Sequence, residues 1–212
     1  KQDGNNPFYI APRVGKNEKI FDMIKLRSMK IDADKSGVDS TSSDDKRITS
    51  VGQFVRKYKL DEITQLWNVL KGEMSIVGPR PNVKNETDLY TKEEYELLSI
   101  SPGITDFSSI VFSDEGQILE GTDNPDLTYN QLIRPWKSRL GLIYINNRTV
   151  VLDFYIIYFT LISIISKEKA NKCVSQKLKE LGCSEKIIKI ALRADKLLPF
   201  PPPGSDEIVI SR

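Results

Sequence analysis

Residues 56–81, RKYKLDEITQLWNVLKGEMSIVGPRP, decide how this chain is read. Asp61 and Glu62 stand side by side, and apolar residues follow at Ile63, Leu66, Trp67 and Leu70. Spacing of i, i+3, i+4, i+7 predicts an amphipathic helix with one buried face, the carboxylates at its start. Lys71 and Gly72 close that helix, glycine supplying a left-handed exit. Residues 74–77, MSIV, suit a short strand. In Gly78-Pro79-Arg80-Pro81 each proline holds the residue before it extended, so Arg80 sits on a stiff turn. The expected unit has a carboxylate pair at one end and a fixed guanidinium at the other.

A helix N-terminus favours negative charge, so Asp61 is expected to stay ionised at neutral pH. An oriented carboxylate can bind a hard cation, act as a base, or attack an electrophile such as phosphorus. Arg56, five residues earlier, favours an electrophile that carries phosphate, because guanidinium matches phosphate oxygens in a fork. The plainer alternative is an Asp61 that only caps the helix beside a solvated Glu62.

The whole string resembles the bacterial sugar transferase family, the monotopic phosphoglycosyl transferases. The resemblance is carried by Arg56, Leu60-Asp61-Glu62, QLWNVL at 65–70, GEMS at 72–75 and VGPRP at 77–81. Flanking segments agree: Pro7-Phe8-Tyr9, Arg13-Val14-Gly15-Lys16, FDMIKLRSM at 21–29 and SPGIT at 101–105. The likeness covers roughly residues 5–165. It implies transfer of a phosphosugar from a UDP-sugar donor to a polyprenyl phosphate acceptor. It also implies that Asp61 attacks the β-phosphorus, UMP leaves, and Mg²⁺ bridges the Asp61–Glu62 pair and the diphosphate. Glu62 then tunes Asp61, positions the metal or acts as a base. Arg27, Arg56 and Arg80, with Pro79 and Pro81 framing Arg80, hold phosphate and uridine parts. Residues 106–115, DFSSIVFSDE, depart from the family wording, which commonly runs as a glycine, Trp-Ala-Gln and Asn-Gly-Arg. If they touch sugar or carrier, the substrate differs from that of commoner members.

Composition sets bounds around this. The 212 residues suit one domain with a small appendage. Hydrophobic residues at 39% and charged ones at 28% describe a folded body. A net charge of +2 gives no case for nucleic acid, while the many lysines and arginines allow a basic face toward an anionic membrane. The absence of histidine removes imidazole catalysis and His metal sites. Cys173 and Cys183 lack CxxC spacing and are expected reduced, in the cytosol. Family members carry an apolar N-terminal segment that dips into the membrane. It is expected upstream of Lys1, leaving here a catalytic body, soluble or peripheral, at the cytoplasmic face of the bacterial inner membrane. Homo-oligomerisation stays open.

Along the chain, Phe8-Tyr9-Ile10 and residues 20–29 predict a hairpin around Gly15–Glu18, with Lys25 and Arg27 on one face. Arg27 faces either the diphosphate or solvent. Residues 32–47, rich in Ser and Asp (Asp32, Asp34, Asp39, Asp44, Asp45), lack the EF-hand glutamate and flanking helices and predict a flexible loop over the site. Thr91 and Glu94 form a capping-box pattern that predicts a helix over 91–100, followed by a turn at 102–105. A helix is expected through 129–142. Residues 149–166 are the most apolar run, interrupted by Asp153 and too short to span a bilayer, which predicts a helix serving both core and interface. Two short helices split at Gly182 follow, then a stiff linker at 199–203 and a short strand over 207–211. Asp114-Glu115 is a second acidic pair in a turn, a weaker site candidate.

These readings give a mixed α+β, helix-rich fold with a short sheet or hairpins. A phosphoglycosyl transferase catalytic domain spans 1–166, and a helical C-terminal tail with a Pro-rich extension spans 167–212. Two other functions stand beside it: a glycosyltransferase moving sugar without phosphate, and a non-catalytic membrane scaffold.

Overall fold

The computed structural model describes residues 5–33 and 37–211, so Asp34 of the expected loop lies outside the described residues. The fold is mixed α+β and rich in helix, with two short sheets. Strands β1 (Phe8–Val14) and β2 (Ile20–Leu26) form the expected antiparallel hairpin, in register from Phe8–Leu26 to Val14–Ile20. Its reversal is a 3₁₀ turn, Lys16–Glu18, where Asn17 and Glu18 take left-handed φ of 52° and 61°.

Helix α1 (Ser50–Lys57) is capped by Thr49, whose hydroxyl accepts Gly52 N–H at 3.0 Å. Beyond it the sequence reading needs correction. In place of one amphipathic helix, a 3₁₀ segment, Leu60–Gln65, runs into a short α2 (Leu66–Leu70). Its apolar stripe also faces outward: Ile63, Leu66, Trp67 and Leu70 are exposed, Leu70 by 79%. The buried positions are Asp61, Gln65 and Asn68. The reason lies in β2. Asn68 accepts Ile24 N–H at 3.1 Å and donates to Asp22 O at 2.7 Å, and Thr64 Oγ1 donates to Ile24 O at 2.9 Å. Those side chains occupy backbone groups of β2 that a further strand would otherwise pair, so the polar side must face inward.

Strand β3 (Ser75–Val77) pairs in parallel with β4 (Gly103–Thr105), the segment expected as a turn. Glycine permits this pairing: a Cβ on Gly103 would lie 2.1 Å from Gly78 N. Between them come α3 (Lys84–Thr87) and a 3₁₀ segment, Glu94–Leu98, shorter than the helix expected over 91–100. The predicted capping pair does form, Thr91 N–H donating to Glu94 Oε2 at 3.0 Å. Glu94 is also drawn inside by an ion pair with the buried Arg134.

The rest is helical. α4 (Phe107–Val111), α5 (Glu115–Ile118) and α6 (Pro125–Thr128) precede a π-helical turn, Tyr129–Ile133, that continues into α7 (Arg134–Asn147). α8 (Val150–Ile165), α9 (Lys167–Glu180) and α10 (Glu185–Leu192) complete the set. α4 is buried along its whole length. One core unites Phe107, Ile110, Leu140 and Ile156 with Ala170, Val174 and Leu178 of α9, all fully inaccessible. Each buried Leu or Ile there contributes about 1.5–3 kcal/mol. α8 buries Leu152, Ile156 and Phe159 and leaves Phe154, Tyr158, Leu161 and Ile165 exposed. Its one acid, Asp153, accepts the Tyr144 hydroxyl at 2.7 Å.

Residues 199–203 are laid across α7. Phe200 stacks on Trp136 with centroids 4.5 Å apart, and Arg139 donates to Pro201 O at 2.9 Å. The strand expected over 207–211 is absent. Val209 O instead accepts the Gln131 side-chain amide at 2.8 Å, and among the described residues no strand pairs with this segment. Among the described residues no helix is long and apolar enough to cross a membrane.

Candidate active site

The 3₁₀ segment sets Asp61 and Glu62 against the hairpin, and the Gly78–Pro81 turn brings Arg80 onto Glu62. The two ends of the unit therefore meet. Arg80 Nη1 and Nη2 donate to Glu62 Oε2 and Oε1 at 3.0 and 2.5 Å, a two-pronged ion pair, and Nη1 also donates to Ile104 O at 3.0 Å. Pro79 is buried and its carbonyl accepts Gly103 N–H at 2.9 Å, and Asn82 O accepts Val14 N–H at 2.9 Å. The turn is thus tied to both sheets, which fixes Arg80. Pro81 is half-buried within that turn.

Cations surround the acid pair. Lys25, on β2, lies within electrostatic reach of Asp61, Glu62, Arg80 and Arg13. Burial and then Arg80 push its ammonium down to about 8, with Glu62 and Asp61 opposing. Lys59 reaches Glu62, Arg80 and Asp61, and Arg56 reaches Asp61. Two carboxylates thus sit among Lys25, Lys59, Arg56 and Arg80, a surplus of positive charge suited to a polyanionic ligand. Burial pushes the Asp61 carboxyl above the usual range and Lys25 opposes it. The expected helix-terminus stabilisation of Asp61 is not what governs it, because its segment is a 3₁₀ turn entered through a left-handed Lys59.

Glu62 goes the other way. Burial disfavours its charge, but Arg80, Lys25 and Lys59 together hold it down to about 2. A folded-state value below the ordinary one, near 4.3, contributes stability above that ordinary value and loses it as pH falls toward 2. The contribution is on the order of 3 kcal/mol. In urea titrations with chelator present, Glu62→Gln is expected to lose distinctly less stability than the parent between pH 5 and 3. Equal losses would show that Glu62 is not held this way.

Of the residues expected at the site, the structure brings together Asp61, Glu62, Arg56 and Arg80, framed by Pro79 and Pro81. Arg27 lies just past β2 and donates its Nε to Asn6 O at 2.8 Å, at the root of the hairpin. Lys25, placed on the same predicted face as Arg27 but given no role there, is the hairpin cation that reaches Asp61. Gln65, three residues past Glu62, is fully buried, and among the described residues neither atom of its amide meets a hydrogen-bond partner. Asp114 and Glu115 are committed elsewhere, Asp114 to Lys167 and Arg193 and Glu115 to Lys137. Among the described residues no group of three or more metal-ligating side chains occurs. Asp61 nonetheless fits a hard cation that takes one carboxylate and completes its shell with phosphate oxygens and water. Both Glu62 oxygens accept from Arg80, so Glu62 joins only through remaining lone pairs.

Comparison with known proteins identifies the family. The chain is 34% identical over 172 residues to the galactosyl transferase CpsE of Streptococcus agalactiae, covering 76% of this chain and 35% of that protein. It is 34% identical over 169 residues to the undecaprenyl-phosphate glucose phosphotransferase of Komagataeibacter xylinus, covering 76% and 30%. It is 31% identical over 165 residues to the sugar transferase EpsL of Bacillus subtilis, covering 78% and 73%. The chain thus spans about a third of the length of the first two relatives. Residues 1–167 match the family described as bacterial sugar transferase. The chain belongs to the bacterial sugar transferase family.

Proposed function

We propose that this protein is a phosphoglycosyl transferase that moves a sugar-1-phosphate from a UDP-sugar to a polyprenyl phosphate at the cytoplasmic face of the bacterial inner membrane. The observation that carries this is Asp61, a buried carboxylate with no guanidinium locked onto it among the described residues, held among cations beside the Arg80–Glu62 fork. The undecaprenyl-phosphate phosphotransferase named among its relatives supports the same carrier class. In the first half-reaction an Asp61 oxygen bonds to the β-phosphorus, and the bond from that phosphorus to the bridging oxygen breaks. UMP leaves with that oxygen. In the second, a phosphate oxygen of the carrier attacks the same phosphorus and Asp61 is released. Arg80, Arg56, Lys25 and Lys59 offset the charge that crowds there. Glu62 holds the Arg80 fork in place. Asp61 would hold a Mg²⁺ ion, which when bound masks phosphate charge toward the incoming carboxylate.

The nucleotide released from a panel of UDP-sugars, with polyprenyl phosphate present, tests the reaction. UMP is expected; UDP would mean transfer of sugar without phosphate. With EDTA in excess, UMP release is expected to fall by at least about 10²-fold and to return with added Mg²⁺. Full turnover in EDTA would remove the metal.

A polyprenyl acceptor resides in a bilayer, and the exposed apolar side chains suit one. Phe54 on α1, Leu66, Trp67 and Leu70 on α2, and Phe154 and Tyr158 on α8 are all exposed, and aromatic residues favour the bilayer interface. Trp67→Ser and Phe154→Ser are expected to weaken vesicle cosedimentation several-fold while barely shifting the melting temperature. Unchanged vesicle binding by both would take these faces off the membrane.

A further inference from the structure

We propose that Arg13 of β1 holds a second substrate phosphate beside Arg80, at a place used in turn by both halves of the reaction. This rests on the phosphosugar reading and adds the residue that meets the departing and the incoming phosphate. Side chains alternate along β1, so Tyr9, Ala11 and Arg13 share one face of the hairpin. The register sets Tyr9 opposite Lys25, which puts Lys25 on that same face. Val14 N–H donates to Asn82 O at 2.9 Å, so the strand is tied, directly after Arg13, to the chain leaving the Gly78–Pro81 turn. Arg13 and Lys25 lie within electrostatic reach of Arg80 and of each other. Lys25 also acts on Asp61 and Glu62, and Arg80 is bonded to Glu62. The cations thus run in series from the acid pair through Arg80 and Lys25 to Arg13.

Arg13 is half-buried, and among the described residues its guanidinium forms no ion pair. Its Nη1 donates back to Pro12 O at 2.9 Å. Asp39 acts on it only electrostatically, and Arg80 repels it. Both Glu62 oxygens already accept from Arg80. A shielded guanidinium with no carboxylate on it, beside two further cations, is a cost to the folded protein. A bound phosphate offsets that cost, and its oxygens match the planar guanidinium. Stereochemistry says which phosphate. Displacement at phosphorus keeps the attacking and leaving oxygens roughly in line. When Asp61 attacks the β-phosphorus, UMP departs from the opposite side. To expel Asp61 in line, the carrier phosphate then enters from that same side. The UMP phosphate and the carrier phosphate therefore occupy one place in succession. Arg80 and Lys25 flank the phosphoryl group at Asp61, and Arg13 stands next in the series, where the group across from Asp61 falls.

Arg13→Gln removes the charge at similar size, and Arg13→Lys keeps the charge without the fork. UMP and uridine differ by the phosphate alone, so their affinities, read by titration calorimetry, isolate that contact. UMP is expected to bind Arg13→Gln about tenfold more weakly than the parent, with uridine within about twofold. In turnover, the KM for polyprenyl phosphate is expected to rise by about tenfold in the same variant, and Arg13→Lys to fall between. Equal weakening of UMP and uridine would overturn the assignment and make Arg13 a support of the fold or the nucleoside. A change in UMP affinity alone, or in carrier KM alone, would overturn the shared place, and no change in either would take Arg13 off phosphate. If Arg13→Gln fails to fold, Arg13→Lys carries the same comparison, with about threefold expected in UMP affinity and none in uridine. The nucleotide comparison needs no turnover. A parent protein that releases UMP from no donor, while Arg13→Gln still loses UMP selectively, would refute the reaction and not the phosphate contact.

Discussion

Asp61→Asn is expected to abolish UMP release, by about 10⁴-fold or more, while leaving the fold intact or slightly more stable. The two effects have one cause. Burial raises the Asp61 carboxyl above its usual range, so its charge is costly in the folded state. Asparagine keeps the shape and removes that cost along with the nucleophile. Incubated with a competent UDP-sugar and Mg²⁺ but no acceptor, the parent protein should release UMP in a burst near one equivalent. It should also gain the mass of a phosphosugar on the peptide that contains Asp61. Asp61→Asn should show neither. An adduct on Glu62, Asp114 or Glu115 would move the nucleophile. Turnover only when donor and acceptor are both present, with no adduct, would replace the covalent route with direct transfer in a ternary complex.

Much of the site was legible because it is local. Asp61, Glu62, Arg56 and Arg80 fall within one stretch, and their residue types alone point to phosphate chemistry. What the sequence hid is how that stretch docks. Ile63, Leu66, Trp67 and Leu70 make a genuine apolar stripe, but periodicity shows only that two faces differ, not which one meets the core. Here Thr64 and Asn68 pair with backbone groups of β2, a long-range contact with no local signature, and the stripe turns outward. Lys25 shared a predicted strand face with Arg27, but its proximity to Asp61 exists only once the segment lies on the hairpin. Strand β4 was read as a turn because three residues are too few to show alternation, and its partner lies across sequence. The helix of the 149–166 run was legible from its apolar character, and one stripe of it, Leu152, Ile156 and Phe159, enters the core.

Arg80→Lys is expected to cost about 10²-fold or more in kcat/KM for UMP release, despite keeping the charge. Arg80 meets Glu62 through two parallel hydrogen bonds and spends another on Ile104 O, with both side chains largely shielded from water. An ammonium cannot span both Glu62 oxygens and also face a phosphate. Loss of the fork frees Glu62 to rotate and removes one prong from the donor. A double-mutant cycle separates these two contributions. If Arg80 acts solely by holding Glu62, Glu62→Gln leaves Arg80→Lys nothing further to lose. If Arg80 also binds the donor phosphate, as proposed here, Arg80→Lys lowers kcat/KM again in the Glu62→Gln background, by about tenfold. Melting in chelator should show a stability loss of about 1–3 kcal/mol for Arg80→Lys, from the weakened buried pair. An Arg80→Lys protein of near-parental kcat/KM would place the guanidinium outside the reaction and leave the cationic cluster to Lys25, Lys59 and Arg56.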